Sequence, residues 1–385
     1  MIRFVVGGIY LLAAVSGLVF LLLLFEIIYN QILERVNQKL KPKLKEEINN
    51  YLAGAEVNLT AQISTRKKSL MEDIIMNYLR QLRGETKEKL RDFAEQYGVI
   101  DFKIGQLVDS SQWWKKSEAA YALGELGSAK AVEPLLDYLD NKNSDIRYQS
   151  ALALVKIEGS KYLELAINSL LELDFYPRAV ILRLIEEVEE DIYETMESLI
   201  NSAEVEKKMI ALRALGLKQN YRVLTWIREY IKSQNQDLVI ASLKAAYQLG
   251  DLGDEEYFAL LLTTKESPSP QVRSNLARTL EKFRTNKSRR ELKDLMTDIH
   301  WEVRYNAAQS LLAHGEAGIL ALSEQLNSSD QFAQDMAWQI LHQEITFNNL
   351  LAREDFDNYQ ELITNIKDYL ANKEGVEYEL ESYFS

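Results

Sequence analysis

Three histidines, His300, His314 and His342, are the side chains best suited to proton transfer or metal ligation. Intervals of 14 and 28 residues separate them, which fits no short metal-ligand motif, and each falls at a repeat turn or a helix end. The chain has no cysteine, so disulfides, thiolate metal sites and a cysteine nucleophile are excluded. There is no phosphate-cradling Gly-x-x-x-x-Gly-Lys loop and no nucleophile elbow. The paired acids Glu186-Glu187 and Glu189-Glu190 read as a solvated helix face. This repertoire points to a protein that is not an enzyme and that carries neither metal nor cofactor.

Binding chemistry is better represented. The net charge is −13 over 385 residues, and residues 354–385 supply nine acids against two lysines. Such acidity argues against nucleic acid as a partner, since a sequence-independent binder needs a net basic face. At the other end, Phe4 to Phe25 is apolar apart from Ser16 and small residues, and Glu26 is the first acid. Residues 4–28 as a helix span roughly 37 Å, enough to cross a hydrocarbon core of about 30 Å with some tilt. A cleaved signal is the competing reading. Its apolar core runs to about 7–15 residues, however, and the small-residue stretch Ala13-Ala14-Val15-Ser16-Gly17 sits inside this run rather than after it. Arg3 precedes the run, while Arg35, Lys39, Lys41, Lys43 and Lys45 follow it. By that asymmetry the expectation is a single-pass protein of the cell membrane, N-terminus outside and the remaining chain cytoplasmic.

Residues 29–110 read as a helical stalk. Ile32, Val36, Leu40, Leu44, Ile48 and Leu52 recur at helical spacing, a stripe through which two copies could pair as a homodimer. Pro42 is a candidate kink. Leu70, Met71, Ile74, Ile75, Tyr78, Leu79 and Leu82 form a second, wider apolar face. It suits either a helix packed on a neighbour or an amphipathic helix lying on the inner leaflet. Gly84, Gly98 and Gly105 suggest breaks before the next region.

That region is repetitive. Ala119-Ala120-Tyr121-Ala122-Leu123-Gly124-Glu125-Leu126-Gly127 aligns with Ala245-Ala246-Tyr247-Gln248-Leu249-Gly250-Asp251-Leu252-Gly253, 126 residues later. An anchoring leucine recurs at Leu123, Leu154, Leu184, Leu215, Leu249, Leu280, Leu311 and Leu341, every 30 to 34 residues. Each unit reads as helix, tight turn, helix. Such a unit cannot bury its apolar face alone and must stack on its neighbours. Asp145-Ile146-Arg147, Val272-Arg273 and Val303-Arg304-Tyr305-Asn306-Ala307-Ala308 add a Val-Arg-x-x-Ala-Ala pattern, and Ala131-Val132-Glu133-Pro134-Leu135-Leu136 begins a second helix. On these motifs the chain resembles the short bacterial HEAT repeats, also called phycobilin-lyase-type repeats, over about residues 111–345. Three units depart from the pattern, with Tyr176-Pro177, Lys207-Lys208 and Ala241-Ser242 in place of the Val-Arg pair.

Hydropathy, periodicity and charge together with the resemblance give an all-α expectation: an N-terminal transmembrane helix (1–28), a helical stalk (29–110), a right-handed α-solenoid of about eight HEAT-like helix pairs (111–345) as the resemblance implies, and an acidic C-terminal cap and tail (346–385). The resemblance implies that Arg147, Arg273 and Arg304 bridge to acids or carbonyls. It also implies a concave face carrying Trp113, Trp114, Tyr121, Tyr148, Phe175, Arg213, Tyr247, Arg278, Trp301, Tyr305, Asn306 and Phe332. Aromatic and arginine side chains on one face suit a protein partner. The function expected is a membrane-tethered scaffold or adaptor, lipid-embedded through residues 4–28. The alternatives are a regulatory subunit of a membrane enzyme complex, such as an envelope or exopolysaccharide synthesis machine, and a bilin-lyase-type enzyme, which the missing site chemistry disfavours.

Overall fold

The computed structural model describes residues 2–55, 63–173, 177–344 and 359–372. Every regular element among them is a helix. The chain divides into two compact units, Met1–Tyr176 and Pro177–Ser385.

The first unit begins with α1 (Ile2–Leu52), which runs unbroken past Pro42. Its 51 residues extend about 75 Å at 1.5 Å per residue. The apolar run from Val15 to Ile28 lies exposed, whereas Leu44 and Ile48 are buried. One continuous helix therefore carries the lipid-like segment at one end and part of the unit's core at the other. α2 (Thr65–Leu79) buries Leu70, Met71, Ile74, Ile75 and Leu79. It packs on α1, on α3 (Gly84–Gln96) and on α4 (Val99–Asp109). Its apolar face is spent inside the unit, which overturns the reading of this segment as a helix lying on a leaflet. Arg66 ties α2 to α1, donating to the Leu33 carbonyl at 2.9 Å and to Asn37 Oδ1 at 2.8 Å. Gly98, at φ +75°, forms the break between α3 and α4, but Gly105 lies within α4 and breaks nothing. Two helix pairs follow: α5 (Trp113–Leu126) with α6 (Val132–Leu136), and α7 (Ser144–Glu158) with α8 (Leu163–Leu171).

The second unit continues the pattern with α9 (Arg178–Glu186) and α10 (Tyr193–Asn201), then α11 (Val205–Leu217) and α12 (Val223–Tyr230). Next come α13 (Gln236–Leu249) with α14 (Glu255–Leu262), α15 (Pro270–Leu280) with α16 (Asn286–Leu295), and α17 (Trp301–Ala313) with α18 (Glu316–Gln325). α19 (Gln331–Glu344) and α20 (Tyr359–Asn372) end the described chain. Expectations for the acidic segment beyond Asn372 lie outside the described residues.

All eight anchoring leucines are buried, seven of them at 0% exposure and Leu249 at 8%. A fully buried leucine contributes about 1.5–3 kcal/mol, so these positions fix the repeat period. The first helices of successive pairs meet through small residues. A Cβ added to Gly124 would stand 2.7 Å from the Ala153 Cα, and one added to Gly216 would stand 2.7 Å from the Ala245 Cα. The Val-Arg arginines brace the turns. Arg147 donates to the carbonyls of Asn141 and Ser169, and Arg304 to those of Asp298 and Ile299. Arg273 donates to the Ser267 carbonyl and forms a two-pronged pair with Asp298.

Gly216→Ala is expected to lower the thermal unfolding midpoint, at a cost of about 1–3 kcal/mol from overpacking and despite alanine's better helix propensity. Gly105→Ala adds a methyl whose nearest neighbour is Asp109 Oδ2 at 3.9 Å. It should leave the midpoint unchanged or raise it, by up to about 1 kcal/mol. Thermal denaturation of the two variants followed by circular dichroism checks the contrast.

Candidate functional site

A groove of about 260 Å³ opens across α11, α13 and α15 in the second unit, lined by Arg213, Leu217, Lys244, Tyr247, Gln248, Asn275, Arg278 and Thr279. Arg213, Tyr247 and Arg278 each stand two residues before an anchoring leucine, Leu215, Leu249 and Leu280. Burial of that leucine against the neighbouring pair turns the position two before it outward, so three consecutive repeats present the same face. Lys244 stands three residues before Tyr247, on the same side of α13.

The groove holds three cations and no acid among its lining residues. Burial and the neighbouring Arg178 depress the Arg213 guanidinium. Lys244 is exposed on the groove rim, yet partial desolvation, followed by the charges of Arg213, Arg278 and Arg178, lowers its ammonium pKa. Arg178 itself is engaged by Glu206, with Nη2 at 2.8 Å from Oε2. Tyr247 is held from outside the groove, its hydroxyl donating to Glu281 Oε1 at 3.0 Å and its ring centroid 4.3 Å from Lys282 Nζ.

Other predicted positions fall elsewhere. Trp301 stacks on Tyr305 with centroids 4.8 Å apart and is 53% exposed. Phe332, also exposed, is covered on one face by Arg304 at 4.6 Å. The Asn306 side chain donates to Ser274 Oγ at 2.7 Å and so joins α17 to α15. In the first unit, Trp113 and Trp114 form an exposed edge-to-face pair at the start of α5, while Tyr121 and Tyr148 are half-buried. Phe175 lies outside the described residues. Lys244 was not among the predicted residues; its i−3 relation to Tyr247 was the available signal.

A larger groove of about 550 Å³ lies on α16 and α18. Its Arg289, Arg290 and Lys293 face Glu316 and Glu324, and Lys293 pairs with Glu324 at 2.5 Å, so it lacks a single sign. Among the described residues, no group of three or more His, Asp or Glu side chains could hold a metal ion. Glu186, Glu187, Glu189 and Glu190 are exposed, but only Glu186 lies on a helix; the other three fall in the turn after α9 rather than on a helix face.

The family model for HEAT repeats matches residues 101–184 and 258–341. Both segments are similar to HEAT repeats. The first match spans α4 to α9 and the second runs from α14 to α19, so the similarity falls on the helix pairs described above. No curated protein matches the sequence. Among solved structures, Kap121p is similar at 13% identity and a TM-score of 0.49, with 84% of this chain and 40% of that one covered. Kap95p, whose binding induces the switch loops of RanGDP to adopt the GTP-bound conformation, is similar at 10% identity and a TM-score of 0.37, covering 90% and 62%. An engineered protein is similar at 15% identity and a TM-score of 0.36, covering 83% and 99%. At such identities and scores, these likenesses say nothing of what this chain binds.

His314, which closes α17, is a structural rather than a chemical group. Its Nε2 lies 3.1 Å from the carbonyls of both Leu280 and Glu281, and since carbonyls only accept, Nε2 carries the proton. Nδ1 is buried without a partner. Burial, with Arg289 and Arg284 nearby, holds the imidazole pKa below its usual value against the upward pull of the two carbonyls. The folded chain thus binds this proton more weakly than the unfolded chain. The stability it confers is complete above about pH 6.5 and is lost as pH falls below that. The Asp298 carboxyl, lowered in pKa within its pair with Arg273, acts only in the more acidic carboxylate range. His314 should therefore pull the thermal midpoint down between pH 7 and pH 5.5, against the opposite pull of Glu72 and Asp73, whose carboxyl pKa values burial raises. The His314 contribution is read as the difference from His314→Gln, which keeps a donor for the two carbonyls and should sit higher relative to the parent at pH 5.5 than at pH 7.

Proposed function

We propose that this HEAT-repeat chain is a non-enzymatic adaptor, tethered to the cell membrane by residues 4–28 of α1, that holds a protein partner on the outward side chains of its first helices. HEAT repeats generally serve protein interaction. The observation that carries the reading is the convergence of Arg213, Tyr247 and Arg278 from successive repeats on one groove. Arginine and tyrosine are the side chains that most often dominate protein interfaces. The stacked Trp301 and Tyr305 and the exposed Phe332 extend the same type of surface along α17 and α19.

The tether rests on α1. Its described stretch Val15–Leu52 contains a window with mean hydropathy 1.9 and none of it buried, long and apolar enough to cross a membrane. The cations Arg35, Lys39, Lys41, Lys43 and Lys45 on its C-terminal side favour a cytoplasmic repeat region. Because α1 continues without interruption into the first unit, where Arg66 clamps it, a partner close to the bilayer is favoured, such as the cytoplasmic part of a membrane enzyme. Ile32 and Val36, exposed between the apolar run and the buried Leu44, are the surface through which a second copy would pair.

Two experiments on the full chain in its own cells test this. The protein is free of cysteine, so a single Gln234→Cys change gives one reporter thiol. That thiol should resist a membrane-impermeant maleimide in intact cells and react after permeabilisation; labelling of intact cells would refute the orientation. A photo-crosslinking residue at position 278 should trap one protein partner, and the same residue at position 229, on the second helix α12, should trap none. Absence of any adduct at 278, with the orientation confirmed, would leave a passive spacer in place of an adaptor.

A further inference from the structure

The groove across α11, α13 and α15 is chemically one-sided in a way the surrounding surface is not. Several cations elsewhere in the second unit sit against acids: Arg178 with Glu206, Arg273 with Asp298, Lys265 with Glu291 and Asp294, and Lys293 with Glu324. Among the described residues, Arg213, Lys244 and Arg278 make no ion pair and no hydrogen bond to an acid, although the chain has 58 acidic residues against 45 basic ones. Three like charges on one face repel, and holding them there destabilises the free protein unless a ligand neutralises them.

We propose that this groove binds an acidic peptide segment of the partner, whose carboxylates, spaced along an extended backbone, seat against Arg213, Lys244 and Arg278. The proposal rests on the adaptor reading and adds the chemistry of what is recognised. The spacing of the cations selects the ligand. They stand on three successive first helices, and packed helix axes lie about 8–10 Å apart. A lone phosphate group is too small to engage cations mounted across that width. On a polyproline-II-type extended chain, which turns once every three residues, acids three apart recur on one face about every 9 Å and match it. The guanidinium forks of Arg213 and Arg278 suit planar carboxylates, and the amides of Asn275 and Gln248 can bond the peptide backbone between them. A polyanion such as RNA or an anionic bilayer would meet the remaining surface of a chain carrying a net charge of −13. At about 260 Å³ the groove also falls below the roughly 300–1,000 Å³ usual for small-molecule sites.

The test uses the full chain in neutral detergent micelles at low salt. The probe is a fluorescein-labelled decapeptide with glutamate at every third position, followed by fluorescence anisotropy. The expected result is binding that weakens with added salt and falls at least tenfold in the Arg213→Glu, Arg278→Glu double variant. The Lys115→Glu, Lys232→Glu double variant changes the net charge equally at exposed positions outside the groove and should stay within about twofold of the parent. Should the double reversal perturb the circular dichroism, Arg213→Gln with Arg278→Gln replaces it, with a smaller loss expected. Four outcomes would each overturn the proposal: no binding, equal loss in groove and control variants, equal binding of a peptide with glutamine at the same positions, or tighter groove-dependent binding of a single-phosphoserine peptide or a short oligouridylate. A crosslinked partner at position 278 without peptide binding would sink the acidic-peptide assignment alone and leave the adaptor reading standing.

Discussion

A methyl group added at Gly216 would lie 2.7 Å from the Ala245 Cα, and one at Gly124 equally close to the Ala153 Cα. Contacts that close bring the backbones of successive first helices together and leave almost no freedom in how one helix rides on the next. Dispersion and burial favour the approach, and the small residues Ala211, Ala214, Ala241 and Ala245 permit it by keeping bulk out of the seam. Once the helices are locked in this way, the residues two before Leu215, Leu249 and Leu280 point outward in register. The alignment of Arg213, Tyr247 and Arg278 follows from the packing behind them.

Electrostatics then distinguishes this face from the rest of the second unit. The turns consume cations for structural ends: Arg273 takes Asp298 and the Ser267 carbonyl, and Arg304 takes the carbonyls of Asp298 and Ile299. Those arginines carry the family pattern and are spent holding successive pairs in place. Arg213, Lys244 and Arg278 lie outside the pattern and, among the described residues, pair with no acid. The division of labour is between arginines that brace the scaffold and cations that the scaffold displays.

The parts of this arrangement that were legible in the sequence are those set by burial. The leucine spacing of 30 to 34 residues located the helix pairs because a buried leucine is required once per pair. The expectation that Arg213, Tyr247 and Arg278 share a face came instead from the resemblance to short HEAT repeats. Legibility failed where the outcome depends on neighbours distant in sequence. α2 carries an apolar face equally suited to a lipid surface or a protein core, and only the presence of α1, α3 and α4 decides for the core. The pair of Glu72 and Lys103, 2.5 Å apart and buried between α2 and α4, leaves no periodic trace, since a charged residue on an amphipathic helix normally marks the wet side. Burial pushes the Glu72 carboxyl up even against the pull of Lys103, so that pair is a cost the unit bears rather than a source of its stability. Lys244 escaped notice for a simpler reason: it lies one turn from the positions that the repeat pattern singles out.

The account stands on a cluster of cations that the fold holds together without neutralising. The titration of Lys244 in the full chain, followed by NMR of isotope-labelled lysines and assigned with Lys244→Arg, tests this most directly. Lys244 should lose its proton below the usual lysine value of about 10.4 and move back towards it when Arg213 and Arg278 are both changed to glutamine. A Lys244 that titrates at the ordinary value in the parent chain, unmoved by those changes, would show that the cations are not held within reach of one another and would contradict the account.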